Sequence, residues 1–167
     1  SGKGTAILAQ QKGYDVLVSD AGQIAPEIKS LLDLNSIRWE EKTHSTEEIL
    51  QADLVMKSPG IPEHVAIVKA IRAAAIPIHS EIEFASQFTQ AKIIGITGSN
   101  GKTTTTLLIH HLLKTAGLNV GLAGNIGMSF AQQVAQNNYD YYVLEISSFQ
   151  LDDIHNFAPA IGVITNI

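Results

Sequence analysis

The chain has 167 residues, 45% hydrophobic and 16% charged, enough for a buried core and too apolar for a disordered chain. Its net charge of −5 argues against a nucleic-acid surface, which needs clustered Lys and Arg, but leaves phosphate ligands open, since backbone N–H groups can bind them. Cysteine is absent, which excludes a disulfide framework or thiolate metal site and fits a cytoplasmic location. No apolar run approaches the roughly 18 residues of a membrane span, so no membrane insertion is expected. A monomer is expected.

Short β-branched runs alternate with longer helical stretches, the pattern of an α/β fold with a mostly parallel sheet. Residues 2–12 read as a helix and residues 15–19 as a strand. Residues 26–32 and 47–51 read as helices, and residues 54–57 as a strand broken by Ser58-Pro59-Gly60. A helix over 65–75, a strand over 76–79 and a helix over 81–86 follow. No strand precedes the first helix, although βαβ logic expects one, so the chain is expected to begin inside a fold.

Near residue 90 the pattern restarts with the apolar strand 92–97, a glycine-rich loop and a helix over 102–116. A strand over 119–122, a loop over 124–127, a helix over 128–136 and strands over 141–146 and 161–165 complete it. The expected organisation is a Rossmann-like unit over 1–90 and the first part of a P-loop ATPase unit over 91–167, both incomplete.

Thr97-Gly98-Ser99-Asn100-Gly101-Lys102-Thr103-Thr104 lies between a buried strand and a helix, the context a phosphate-binding loop requires. Glycines let successive N–H groups converge on phosphate oxygens at a helix N-terminus. Lys102 would neutralise the β- and γ-phosphates of ATP, and the Thr103 hydroxyl would ligate Mg²⁺. One departure stands out: the strict motif has Gly where this chain has Ile96.

Glu145 ends an apolar strand at the sheet edge where α/β folds bind ligands, and a carboxylate there can hold a hard cation. The alternative is a solvated strand-end acid. Asn125 lies between glycines; its amide could orient a substrate or a metal-bound water, or it could simply form the turn. Ser1-Gly2-Lys3-Gly4-Thr5 suits either a second Walker loop or the tail of a G-x-G-x-x-G fingerprint. Asp20 favours the second, because it ends the next strand about 18 residues after Gly2, where a Rossmann-type acid reaches a ribose or base. As a bland alternative, Asp20 caps a helix or shapes a turn. The histidines have no metal-ligand spacing and read as surface or packing residues. Glu40, Glu41, Glu47 and Glu48 read as a solvated surface.

Three blocks in order resemble the Mur ligase family: Gly95-Ile-Thr-Gly-Ser-Asn-Gly-Lys-Thr-Thr104, Gly124-Asn125-Ile126-Gly127 and Leu144-Glu-Ile-Ser-Ser-Phe-Gln-Leu151. The likeness covers essentially the whole chain, and the second and third blocks look like those of the D-glutamate-adding branch. That resemblance implies ATP and Mg²⁺ as cofactors, with UDP-N-acetylmuramoyl-L-alanine and D-glutamate as partners in an amide-forming reaction. Gly98 to Thr104 would bind ATP, Thr103 and Glu145 would bind Mg²⁺, and Lys102, Glu145 and Asn125 would serve catalysis. Ser1, Gly2, Asp20, Gly60, Ser147 and Gln150 would contact the UDP-linked substrate. The family also uses a second-metal His, a carbamylated Lys and an amino-acid-binding domain beyond the last residue here, so the 167 residues alone are expected not to ligate. A sister Mur or folylpolyglutamate-type ligase, or a non-catalytic P-loop module, shares the central loop.

Overall fold

The computed structural model describes residues 2–167, and the Ser1 end of the first glycine motif lies outside the described residues. Eight helices and eight strands alternate among them, and every strand pair is parallel. Parallel pairing needs a crossover between strands, and the helices provide it. The fold is therefore α/β, as the alternating pattern implies.

The largest sheet has four strands in the order β6-β7-β5-β8. They are β5 (Lys92–Thr97), β6 (Val120–Gly124), β7 (Tyr141–Glu145) and β8 (Ile161–Ile164). Side chains alternate across a strand, and the two faces separate accordingly. Ile94, Ile96, Val120 and Val143 pack on one face against Ile109 and Leu113 of α6 (Lys102–Thr115). Ile93, Tyr142, Leu144 and Ala123 pack on the other, beneath Leu8 and Ala9 of α1 (Gly2–Gln11), Ile82, Phe84 and Ala85 of α5 (Glu81–Ser86), and Phe130 and Ala131 of α7 (Phe130–Gln136). Gly4 is required by that packing, because a Cβ there would lie 2.5 Å from Ser129 Oγ and 2.8 Å from Gln132 Cβ. Two buried acids brace the same layer: Glu81 accepts the Ala131 N–H at 3.0 Å, and Glu83 accepts the N–H groups of His155, Asn156 and Phe157.

Two smaller sheets lie in the first half. β1 (Leu17–Asp20) pairs with β2 (Arg38–Glu41), with α2 (Pro26–Leu34) as their crossover. β3 (Val55–Met56), reached through the single turn α3 (Thr46–Ile49), pairs with β4 (Ile78–His79) across α4 (Ala66–Ala73). The sequence Arg-Trp-Glu-Glu of β2 carries no apolar alternation, so it does not read as a strand. Instead Glu40 and Glu41 are half-buried and partnered, which corrects the solvated-surface reading of those two. Glu40 accepts from Ser19 Oγ at 2.6 Å, and Glu41 from Lys29 at 2.6 Å and the Ile24 N–H at 2.8 Å.

Candidate active site

The glycine-rich loop joins β5 to α6 and is held open by two glycines. Gly98 has φ 137°, and a Cβ there would lie 2.2 Å from Thr165 Oγ1 and 2.9 Å from the Asn166 carbonyl oxygen. Gly101 has φ 79° and caps α6. Ile96, the departure from the strict motif, is an interior strand residue with no exposure, so the glycine of other P-loops would leave a gap under α6.

Residues after β8 tie down one side of the loop. The Ser99 N–H donates to the Asn166 carbonyl at 3.2 Å, and the Asn100 N–H to Asn166 Oδ1 at 2.9 Å. Thr165 Oγ1 and Asn166 Nδ2 donate to the Asn100 carbonyl at 2.6 and 2.9 Å. Among the described residues, no protein acceptor takes the N–H groups of Gly101, Lys102, Thr103 and Thr104. Those four are the donors that a helix N-terminus offers to a phosphate. Lys102 Nζ folds over the loop and donates to the carbonyls of Gly98 at 2.6 Å and Ser99 at 3.1 Å. Neither Thr165 nor Asn166 is foreseen by sequence reading, because the contact exists only once β8 pairs beside β5.

Glu145 sits level with the end of β5, in register with Ile96 on one side and Gly124 on the other. It is only 2% exposed, which removes the solvated alternative. Asn125 Nδ2 donates to its Oε1 at 2.9 Å, while its Oε2 is buried with no hydrogen-bond partner. A buried unpaired carboxylate oxygen is costly, and a cation is the group that relieves it. Asn125 thus spends its donor on the carboxylate, and its backbone N–H donates to the Glu145 carbonyl at 2.8 Å. Gly124 belongs to the end of β6 rather than to a loop, with φ 105°.

The orphaned Oε2 of Glu145 and the exposed Thr103 hydroxyl on the neighbouring helix fit Mg²⁺, which takes few protein oxygens and completes its shell with water and phosphate. No cluster of three or more His, Asp or Glu suited to a metal occurs among the described residues.

The remaining expected contacts divide. Ser147 and Gln150 form a cap on the single-turn α8 (Ser148–Leu151): Gln150 Oε1 accepts from the Ser147 N–H at 3.0 Å and Oγ at 3.1 Å. Ser58 and Gly60 line an open cleft of about 500 Å³ with Lys57, Arg72, Phe149 and Asp153. Gly2 faces this loop, since a Cβ on it would lie 4.0 Å from Ser58 Oγ. Gly60 has φ 86°, a conformation that favours glycine. Asp20 lies outside the cleft lining, and its Oδ1 accepts the Gly22 N–H at 2.8 Å in a local turn.

A glycine-rich loop between a strand and a helix, an adjoining buried carboxylate and a parallel α/β sheet define the class as an α/β protein with a P-loop type of strand-to-helix turn. The chain belongs to the Mur ligase family: residues 96–167 match the Mur ligase middle domain and residues 5–67 the MurD N-terminal domain. Over all 167 residues it is 58% identical to the UDP-N-acetylmuramoylalanine–D-glutamate ligase of Bacteroides fragilis, and 55% to that of Bacteroides thetaiotaomicron. In both cases the match covers 100% of this chain and 38% of the relative, so the chain spans well under half of those proteins. The solved UDP-N-acetylmuramate:L-alanyl-gamma-D-glutamyl-meso-diaminopimelate ligase from Neisseria meningitides shares the fold, with TM-score 0.60 and 21% identity over 98% of this chain and 56% of that one.

Proposed function

We propose that this chain is the nucleotide- and substrate-binding portion of an ATP-dependent ligase that adds D-glutamate to UDP-N-acetylmuramoyl-L-alanine in the cytoplasm. One observation carries the reading. The buried, half-partnered carboxylate of Glu145 stands in register with the strand that feeds the phosphate loop. The 58% identity to a ligase of that name supports the choice of substrates.

In this reading the amides of Gly101 to Thr104 and the Lys102 ammonium hold the ATP phosphates, with Ser99 and Asn100 shaping the loop around them. Phosphoryl transfer asks the protein chiefly for positioning and charge neutralisation, and these residues provide both. Thr103 and Glu145 would hold Mg²⁺, which when bound neutralises charge on the phosphates. Asn125 fixes the Glu145 carboxylate through its amide. The alanyl carboxylate of the substrate attacks the γ-phosphorus, releasing ADP and forming an acyl phosphate. The D-glutamate amine then attacks that carbonyl carbon; inorganic phosphate leaves, the amine loses a proton and an amide remains. Gly2, Ser58 and Gly60 would approach the UDP portion. Ser147 and Gln150 act on the substrate side by capping α8 at the edge of the site, and Asp20 approaches the nucleoside through the carboxylate oxygen its turn leaves free.

The test is ADP formation by the full-length protein that carries this segment. ADP should form over many turnovers only when ATP, Mg²⁺, UDP-N-acetylmuramoyl-L-alanine and D-glutamate are all present, and without D-glutamate no more than one ADP should form per enzyme. Equal turnover with another amino acid would assign a sister ligase, and nucleotide binding without turnover would assign a non-catalytic module.

A further inference from the structure

Away from the phosphate loop, four charged side chains from three segments meet at the cleft. Lys57 Nζ lies 2.5 Å from Glu63 Oε1 and 3.2 Å from Asp153 Oδ2. Arg72 of α4 reaches the same two acids, Glu63 Oε2 at 3.3 Å and Asp153 Oδ1 in close contact. The side chains of Lys57 and Asp153 are only 10% and 8% exposed, so solvent screens this pair less than an ordinary surface ion pair. Glu63 and Arg72 are the exposed members, and the hydrogen bonds that Glu63 accepts from Lys57 and Arg72 hold its carboxyl down to about 2. Asp153 also adopts φ 57°, a left-handed conformation that costs an L-residue energy unless its surroundings fix it. Its backbone carbonyl accepts the Ser80 N–H at 3.1 Å, so both ends of the residue are pinned.

The placement of these charges is selective. Lys57 immediately precedes Ser58-Pro59-Gly60, and Glu63 follows that loop by three residues. Both ends of the loop are thus fastened to one ion cluster, and the Ile61 N–H closes the turn on the Ser58 carbonyl at 3.3 Å. Asp153 comes from the other side of the cleft, two residues after α8 and the Leu144–Leu151 block that carries Glu145. Breaking a buried pair leaves an unpaired charge, so each member constrains the others.

We infer that Asp153 is a positioning residue that sets the shape of the 58–62 loop for the UDP-linked substrate and ties that loop to the segment carrying Glu145. The inference rests on the functional reading above for the identity of the substrate, but not for the latch itself.

The experiment uses the full-length protein and the variants Asp153→Asn, Asp153→Glu and Lys57→Met, with Lys57→Met combined with Asp153→Asn as a fourth. Asp153→Asn should raise KM for UDP-N-acetylmuramoyl-L-alanine about five- to tenfold, the order expected for loss of a charged hydrogen bond, with kcat and the KM for ATP little changed. Asp153→Glu should restore most of it, and removing Lys57 together with Asp153 should cost less than the two changes added. In the ligand-free protein, the Ile61 amide should exchange with solvent faster in Asp153→Asn than in the wild type. A fall in thermal stability with both KM values unchanged, or equal rises in the two, overturns the latch. Failure of the wild type to turn over overturns the functional reading instead; an unchanged Ile61 exchange rate overturns the latch whatever the turnover.

Discussion

Gly124 and Glu145 lie so close that a Cβ on Gly124 would sit 2.2 Å from the Glu145 carbonyl oxygen. The clash is with backbone, and the φ of 105° is one that L-residues rarely adopt. Strand β6 therefore reaches the carboxylate's own backbone only because residue 124 has no side chain.

Gly124→Ala is accordingly expected to destabilise the fold by about 2–4 kcal/mol, combining backbone strain with displacement of a buried strand end. Chemical denaturation measures it. A loss below about 0.5 kcal/mol would show that β6 and β7 can separate at this point at little cost.

Glu145→Gln separates stability from function. The amide oxygen can still accept from Asn125 Nδ2, and the unpartnered buried carboxylate oxygen is replaced by a neutral group. Thermal stability of the ligand-free protein should stay level or rise, as at other sites where function keeps a strained or unpaired group. The Mg²⁺ concentration for half-maximal turnover should rise about tenfold, the order expected when a charged ligand becomes neutral. A variant less stable than the wild type with an unaltered Mg²⁺ titration would make Glu145 a structural residue.

If the proposed function holds, Lys102→Ala should lower kcat by about 100-fold or more, because the ammonium would neutralise charge that develops on the transferred phosphoryl group. Its present partners are the Gly98 and Ser99 carbonyls, so the fold loses two surface hydrogen bonds and should melt close to the wild type. Steady-state kinetics beside a thermal melt checks both halves.

His79 makes stability depend on pH. Burial pushes its imidazole below the usual 6.5, against raising influences from Glu83 and Asp153 and with a further lowering one from His155, whose ring centroid lies 5.3 Å away. A histidine held neutral in the fold but free to take a proton when unfolded costs nothing above 6.5. As pH falls through 6.5 toward the lowered folded value, the unfolded state binds the proton first and stability drops. Melting temperature should therefore fall from about pH 7.5 to about pH 5.5, and His79→Phe should flatten that slope. A wild-type slope that the variant leaves unchanged would assign the pH dependence to other groups.

The glycine-rich loop is legible in the sequence as a strand-to-helix turn because its pattern is local: two glycines, a lysine and a threonine lie between β5 and α6. Glu145 is legible by position at a strand end, but its burial is not, since that depends on Gly124 and Asn125 arriving from another strand. Strand β2 is hidden because Arg38, Glu40 and Glu41 satisfy their charges through Asp15, Ser19 and Lys29, all remote in sequence. Ser147 and Gln150 are substrate contacts by resemblance alone, and the cap they form is the local arrangement that Ser-x-x-Gln makes on its own. The Asn166 tie to Asn100 and the Asp153 tie to Lys57 join positions that only the folded sheet brings together.

The most direct measurement follows oxygen. The full-length protein is supplied with UDP-N-acetylmuramoyl-L-alanine whose alanyl carboxylate carries ¹⁸O, together with unlabelled ATP, Mg²⁺ and D-glutamate. If the phosphate loop delivers the γ-phosphoryl group to that carboxylate, one labelled oxygen must leave with the inorganic phosphate when the amine attacks. Mass spectrometry should then find a single ¹⁸O in the released phosphate for each amide formed. Amide formation with unlabelled phosphate would contradict the acyl-phosphate route and the arrangement of Lys102, Thr103 and Glu145 argued for it.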